Sequence, residues 1–443
     1  MKTEKLIWVI LLFATTCLSA QNNKVWTLQE CVNYALENNV SIKQSELDKE
    51  IASQDVVAAK WNFVPNLNAN ASQNYNFGSS ITSSGTRASA DFSSNNFGIN
   101  SSVILFNGFS NLYTLQQTKI GVEAKDAALE KMKNDISLNI VNAYLQILFA
   151  KEQVKVAQSQ VDISQLQVLR IEELVKAGTR AEGDLYNVKS TLATDNQNLV
   201  VAKNTETLTA LRLAQLLQLP ESTILIQEIA VEATDQSILN TGIDEIFKKA
   251  EETFPEIKLA DLNIKIAEKT IKISQSRYYP TLSLNYGMST VYQHRQGSTD
   301  FITFSDQLDQ NLGNSIGLSL NIPIFNRFQY RTTVSKNKIY YLKSEYSLTS
   351  EKLRLKETIQ TAYTDAQASS KSYDAAVISV EAQNKAFDYA NERYMVGAIN
   401  SFDFNQIKNN LVSAQSQLIR AKYDFVFKLK VLQFYYGIPI VMN

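Results

Sequence analysis

Pro65-Asn66-Leu67-Asn68-Ala69-Asn70 recurs 215 residues later as Pro280-Thr281-Leu282-Ser283-Leu284-Asn285. Apolar and small polar side chains alternate in both, and period two is the signature of a strand. The first stretch continues through Ala71, Tyr75 and Phe77 against Ser72, Asn74 and Asn76. The second continues through Tyr286 and Met288 against Gly287 and Ser289. Alternation resumes at Phe97, Ile99, Val103 and Leu105, and again at Ile316, Leu318, Leu320, Ile322 and Ile324. The stretch from Gly78 to Ser94 is rich in Ser, Thr and Gly and reads as a loop. Each half therefore offers a β-hairpin, about 66–106 and about 281–325. Each hairpin has one apolar face and one face of Asn, Ser and Gly.

The repetition extends outward in both directions. Leu28, Glu30, Ala35 and Leu47 match Ile243, Glu245, Ala250 and Leu262 at the same offset. Downstream the offset becomes 219, pairing Leu105-Phe-Asn-Gly-Phe109 with Ile324-Phe-Asn-Arg-Phe328, then Gly178 with Gly397, Asp184 with Asp403 and Pro220 with Pro439. A register kept this long marks a duplication. Repeat 1 spans 21–220, repeat 2 spans 243–439, 221–242 is a linker and 440–443 a tail. The net four-residue insertion falls between 285 and 324.

Around each hairpin the period becomes helical. Thr27-Leu28-Gln29-Glu30 reads as a capping box opening a helix towards Trp61. Asn107 and Asn326 read as N-caps of long helices, about 108–177 and about 327–396. Ile140, Ala143, Ile147, Ala150, Val154, Ala157 and Val161 begin a 4-3 spacing that continues to Val175. The second copy repeats the spacing from Ile359 to Tyr394, and such a seam implies coiled-coil packing. Leu138, Val141, Leu145 and Leu148 form a second apolar set, so the rods touch neighbours on more than one side. Gly178 and Gly397 end the long helices at C′. Return helices follow at about 184–218 and about 403–436. Asp184 and Asp403, six residues past each glycine, read either as N-caps of those helices or as acidic groups at the helix tips.

Composition bounds the function. Lys2 and Lys5, the apolar run Leu6–Phe13, then Ser19-Ala20 lay out residues 1–20 as a signal peptide with Gln21 as the mature N-terminus. Cys17 raises a lipoprotein alternative. Beyond this leader no stretch reaches the roughly 18 uncharged apolar residues of a spanning helix, so a membrane crossing has to be made by β-structure. The 43 basic and 44 acidic residues fall to 41 and 43 without the leader, which gives no reason to expect a nucleic-acid partner. The single histidine, His294, sits in a polar, loop-like stretch and cannot form a His-His metal site within one chain. No phosphate loop or nucleophile elbow is present, so the sequence implies no enzyme, no metal and no cofactor. Aromatic residues flank both hairpins: Trp61, Phe63, Phe106 and Phe109 on one, Tyr278, Tyr279, Phe325 and Phe328 on the other. Such girdles occur at membrane interfaces, and packing at helix–strand junctions is the alternative reading.

Duplicated halves, one hairpin in each, and the turn Arg393-Tyr-Met-Val-Gly397 followed by Asp403 resemble the TolC-type outer-membrane efflux family. The resemblance covers essentially the whole chain after the leader. It implies a mainly α fold with a small β part: duplicated long-helix rods form a periplasmic α-barrel, and four strands per chain complete a homotrimeric, twelve-stranded outer-membrane barrel. It further implies outer-membrane lipid around the barrel, a periplasmic adaptor at the Gly178 and Gly397 turns, and an inner-membrane transporter beyond. The function implied is the exit duct of a tripartite efflux pump or type I secretion system. Aspartates at the second turn narrow the periplasmic entrance in that family. Asp403 matches the first of them, Gln406 stands at the next, and Ile399 replaces the expected arginine. In the first copy Arg180 follows Gly178, and Asp184 holds the acidic position. A periplasmic adaptor and a structural coiled-coil protein of the envelope are the competing readings, and neither needs Asn/Ser-lined strands.

Overall fold

The computed structural model describes residues 24–81, 83–89, 91–220, 224–228, 236–295 and 302–438; the leader, Pro439 and the tail lie outside them. The first repeat contains β1 (Val25–Trp26), α1 (Leu28–Asn38), α2 (Val40–Trp61), β2 (Asn66–Asn76), β3 (Ser79–Ile81), β4 (Arg87–Ser89) and β5 (Phe92–Asn107). It continues with α3 (Ser110–Lys176) and α4 (Glu182–Leu217), and β6 (Leu225–Ile226) follows. The second contains α5 (Ile243–Thr253), α6 (Pro255–Ser276), β7 (Thr281–Arg295), α7 (Phe304–Gln310), β8 (Gly313–Asn321), α8 (Gln329–Met395) and α9 (Ser401–Tyr435). The chain forms two compact units, each assembled from both repeats. Among the described residues, one is drawn from Met1–Lys43, Met132–Thr253 and Arg354–Asn443, the other from Gln44–Lys131 and Phe254–Leu353.

The capping box is present: Glu30 N–H donates to Thr27 Oγ1 at 3.1 Å, and Thr27 N–H donates to the Glu30 carboxylate at 2.9 Å. The helix it opens does not run unbroken to Trp61. Asn39 is extended (ψ 127), and its side-chain oxygen accepts from Ser41 N–H at 2.9 Å, which caps a second helix. The second repeat bends at the equivalent place by another device, a proline at the start of α6.

Both long helices have 67 residues, about 100 Å at the ordinary helical rise. Neither starts directly at its asparagine, although the Asn107 side chain still accepts from the Asn111 N–H at 3.4 Å. The chain first passes through two successive left-handed residues, Gly108-Phe109 (φ 66 and 66) and Arg327-Phe328 (φ 55 and 61). The first helical turns then hang on the carbonyls of Phe109 and Phe328, which accept from Tyr113 and Thr332 at 2.9 Å each. Asn107 belongs to β5, opposite Thr281, and its amide donates to Asn111 at 2.9 Å. At Gly108 a Cβ would stand 2.5 Å from the Ser276 carbonyl oxygen and 2.8 Å from Tyr279 Cβ. Gly108→Ala adds that clash to a left-handed backbone, and an unfolding loss of about 2 kcal/mol or more is expected in denaturant titration. At the far ends the glycines act as anticipated. Thr179 N–H donates to Leu174 O and Gly178 N–H to Val175 O, and Ala398 and Gly397 repeat the pattern, so both rods end in Schellman motifs.

The 4-3 seam is the buried side of the rods: Ile140, Ala143, Ile147, Ala150, Val161, Ser164 and Ile171 in α3, and Ile359, Ala366, Ser369, Ala390 and Tyr394 in α8. The seam of α3 joins Leu28, Cys31 and Ala35 of α1, and Leu213 and Leu217 of α4, in one core. Part of the expected linker belongs to this core, since β6 pairs in parallel with β1 and Tyr144 donates to Gln227 O at 2.7 Å. Burial pushes the Cys31 thiol up to about 12. A maleimide at pH 7.5 is therefore expected to label Cys31 only after unfolding, as read from the mass of its peptide.

Candidate functional site: a two-faced sheet and paired helix tips

The four long strands make one antiparallel sheet in the order β2-β5-β7-β8. Three strand boundaries differ from the sequence reading. The Gly78–Ser94 stretch contains the β3–β4 hairpin, and β5 already begins at Phe92. Strand β8 ends at Asn321 rather than near Phe325, because Pro323 has no N–H to continue the ladder. His294 lies in β7 opposite Ser93, not in a loop.

Paired residues share a face of a sheet, so the register sorts every side chain. Ala69, Ile99, Met288 and Asn314 stand in line through successive pairs; Leu67, Ser101, Tyr286 and Ile316 form the next row. Val103, Leu284 and Leu318 follow, and beyond a bulge at Leu105 come Phe106, Leu282 and Leu320. That face is open along the edge strands, where Leu67, Ile316, Leu318 and Leu320 are 74, 75, 68 and 59% exposed, while Phe304 of α7 packs on Phe97 and Tyr292 at its far end. The opposite face carries Asn66, Asn70, Asn100, Asn285, Ser315 and Ser319. Its amides bond one another, Asn100 donating to Asn70 at 2.9 Å and the Ser102 amide to Asn66 at 2.8 Å. A contiguous apolar face of this extent, left open to one side, marks a lipid or protein contact.

The flanking aromatics fall at the strand–helix junctions. Phe106 meets Phe109 edge-to-face at 5.4 Å, and Phe325 repeats the contact with Phe328 at 5.8 Å. Tyr278 meets Tyr330 at 6.0 Å. Trp61, Phe63, Tyr278 and Tyr279 remain 47–63% exposed, so the junction packing leaves these rings partly open.

At the helix tips, α3, α4, α8 and α9 share a small core of Ile171, Val188, Ala390, Tyr394 and Phe404. Phe404 stacks on Tyr394 at 4.5 Å. This core gathers the first turns of α4 and α9, and with them Asp184 and Asp403. Neither aspartate is an N-cap. The caps are Ala181, which makes no side-chain bond, and Asn400, whose Oδ1 accepts from Asp403 N–H at 2.9 Å. Both carboxylates sit at the third helical position, where the helix dipole favours negative charge. Asp184 lies 3.7 Å from Arg180, whose guanidinium stands over the Tyr394 ring. Asp403 and Gln406 are exposed and one turn apart on α9.

A buried polar cluster escaped the sequence reading. Lys408 of α9 is 1% exposed; its ammonium donates to Asp195 of α4 at 2.6 Å and to Ser164 of α3 at 2.5 Å. The Ser164 hydroxyl donates to the same Asp195 oxygen at 2.5 Å. Among the described residues no group of His, Cys, Asp and Glu is placed to hold a metal ion, and no helix is long and apolar enough to cross a membrane.

A sheet with an apolar face open at its edge strands and an amide-lined reverse suits lipid or protein on one side and water on the other. The chain belongs to the outer membrane efflux protein family, whose sequence profile matches residues 31–218 and 246–437. It is 22% identical over 407 residues to outer membrane protein TolC of Escherichia coli K12, an alignment covering 90% of this chain and 80% of TolC. Among solved structures, CusC superposes with a TM-score of 0.78 at 15% identity, over 95% of this chain and 96% of that one. The CmeC outer membrane channel of Campylobacter jejuni gives 0.76 at 17% identity, over 94% and 87%. The protein is thus an outer membrane efflux protein.

Proposed function

We propose that three copies close a twelve-stranded barrel in the outer membrane, and that their helical rods form a periplasmic tunnel. The carrying observation is the sheet, with its apolar face open along β2 and β8 and with no further partner for those edge strands among the described residues. Four strands are too few to close, since single-chain outer-membrane barrels begin at about eight. Two copies would give eight, whose interior side chains fill. Three is the fewest that leaves an open duct. In this reading the Gly178 and Gly397 turns meet a periplasmic adaptor. An inner-membrane transporter then loads cargo through that adaptor for a tripartite efflux or type I secretion route. Detergent-extracted protein added to a planar bilayer is expected to give discrete, long-lived conductance steps. A protein that never inserts, and that leaves membranes with salt alone, contradicts the proposal and favours an adaptor-like role.

Asp184, Asp403 and Gln406 line the periplasmic entrance in this reading. Threefold symmetry brings three copies of each carboxylate towards one axis, and a ring of like charge favours cations. Asp403→Asn keeps Asn400 as the cap and removes only the charge. Lower cation selectivity in bilayer recordings, with assembly intact, is the expected result. Unchanged selectivity in that variant and in Asp184→Asn/Asp403→Asn would leave the aspartates a purely structural role.

A further inference from the structure

We infer that the strand section of the duct is an uncharged, amide-and-hydroxyl-lined conduit that admits polar solutes without regard to the sign of their charge. This rests on the reading that the Asn/Ser face lines the pore. The register puts Asn66, Asn70, Asn100, Asn285, Ser315 and Ser319 on that face, and across all four strands its side chains from Asn66 to Gln293 and from Gly313 to Asn321 include no Asp, Glu, Lys or Arg. The one charged side chain the register adds to this face is Arg295, at the outer end of β7 opposite Phe92. In such a lining, donors and acceptors are both abundant and neither charge is compensated in advance.

The glycines of this face keep the amides close together. A Cβ at Gly98 would fall 2.9 Å from Asn70 Oδ1, and one at Gly287 would fall 3.1 Å from Ser315 Oγ and 3.4 Å from Asn100 Oδ1. Asn66 accepts both the backbone and hydroxyl protons of Ser102, at 2.8 and 3.1 Å. A shallow cavity of about 460 Å³ remains over Asn66, Asn68, Asn100, Asn285 and Ser315. The surface is therefore a tied mesh of amides rather than mobile charged arms. The cargo it suits is hydrogen-bonding and of either sign or neutral, so charge discrimination has to arise in the helical section.

Thiol probing reads this directly. Asn70→Cys and Ser319→Cys are placed singly in the full chain, reconstituted in vesicles, and treated with a cationic trimethylammonium or an anionic sulfonate methanethiosulfonate. Buried Cys31 supplies an unreactive background. At low ionic strength a ring of three carboxylates about 10 Å away would separate the two rates by more than about tenfold. Corrected for the ratio at a small thiol in solution, the rates at both positions are expected to differ by less than about fivefold. A larger bias of either sign overturns the inference. Adding Ser319→Asp to Asn70→Cys should create a cationic bias above that threshold, which shows that the assay senses lining charge; no bias there also overturns it. Leu318→Cys is the control for orientation. If it reacts while Asn70→Cys and Ser319→Cys do not, the pore-lining assignment itself is wrong, and the inference falls with it.

Discussion

Asp195→Leu is expected to lower the unfolding free energy by about 3–5 kcal/mol, because it leaves the Lys408 ammonium buried without its carboxylate. Lys408 is 1% exposed, and its Nζ is held by Asp195 at 2.6 Å, Ser164 at 2.5 Å and the Gln160 carbonyl at 3.4 Å. The remaining hydroxyl and carbonyl accept two of its three protons and compensate none of the charge. Asp195→Leu/Lys408→Met removes both ions and fills the space with apolar volume. That double variant is expected to return to within about 1 kcal/mol of the parent, since replacing a buried pair by packed apolar groups is often neutral. Denaturant titration of these two variants and of Lys408→Met alone gives the coupling. A single-variant loss under about 1 kcal/mol would mean that water reaches the ammonium.

Leu318→Arg and Leu320→Arg are each expected to cost about 2–4 kcal/mol of membrane insertion if they lie near the bilayer midplane. The two leucines are 68 and 59% exposed on the apolar face, opposite Leu284 and Leu282. Ser319→Arg, one residue away and on the other face, is expected to insert normally and to change conductance. Fractionation of the three variants checks this. Normal insertion of the leucine variants with failure of Ser319→Arg would invert the assignment of faces.

The parts of this architecture legible in the sequence are those set by period and by backbone chirality. Alternation sorted the two faces of the strands because a sheet gives each residue one of two sides. The 4-3 seam sorted the rods for the same reason, and Gly178 and Gly397 stood out because their φ of 70 and 78 suits glycine. What stayed hidden depends on single side chains competing with the ladder. Asn39 interrupts a helix whose periodicity carries straight through it. Asn107 and Asn326 looked like caps, but a left-handed pair follows each and moves the helix start to Ser110 and Gln329.

Lys408 was invisible for a different reason. Its counterpart in the first repeat is Lys189, which is exposed, and the counterpart of Asp195 is Ala414. The duplication therefore marks 408 as one more surface lysine. Its partners lie 213 and 244 residues away in the chain, beyond any local pattern. The N-cap reading of Asp184 and Asp403 came from counting from the glycines. The Asn400-x-x-Asp403 spacing was the signal that put the cap three residues earlier.

In the proposed assembly one chain supplies a third of a closed duct. Native mass spectrometry of the protein extracted in mild detergent tests it most directly. The account predicts a trimer of mature chains as the dominant species, persisting across detergents, whereas a stable monomer or dimer as the dominant species would contradict it.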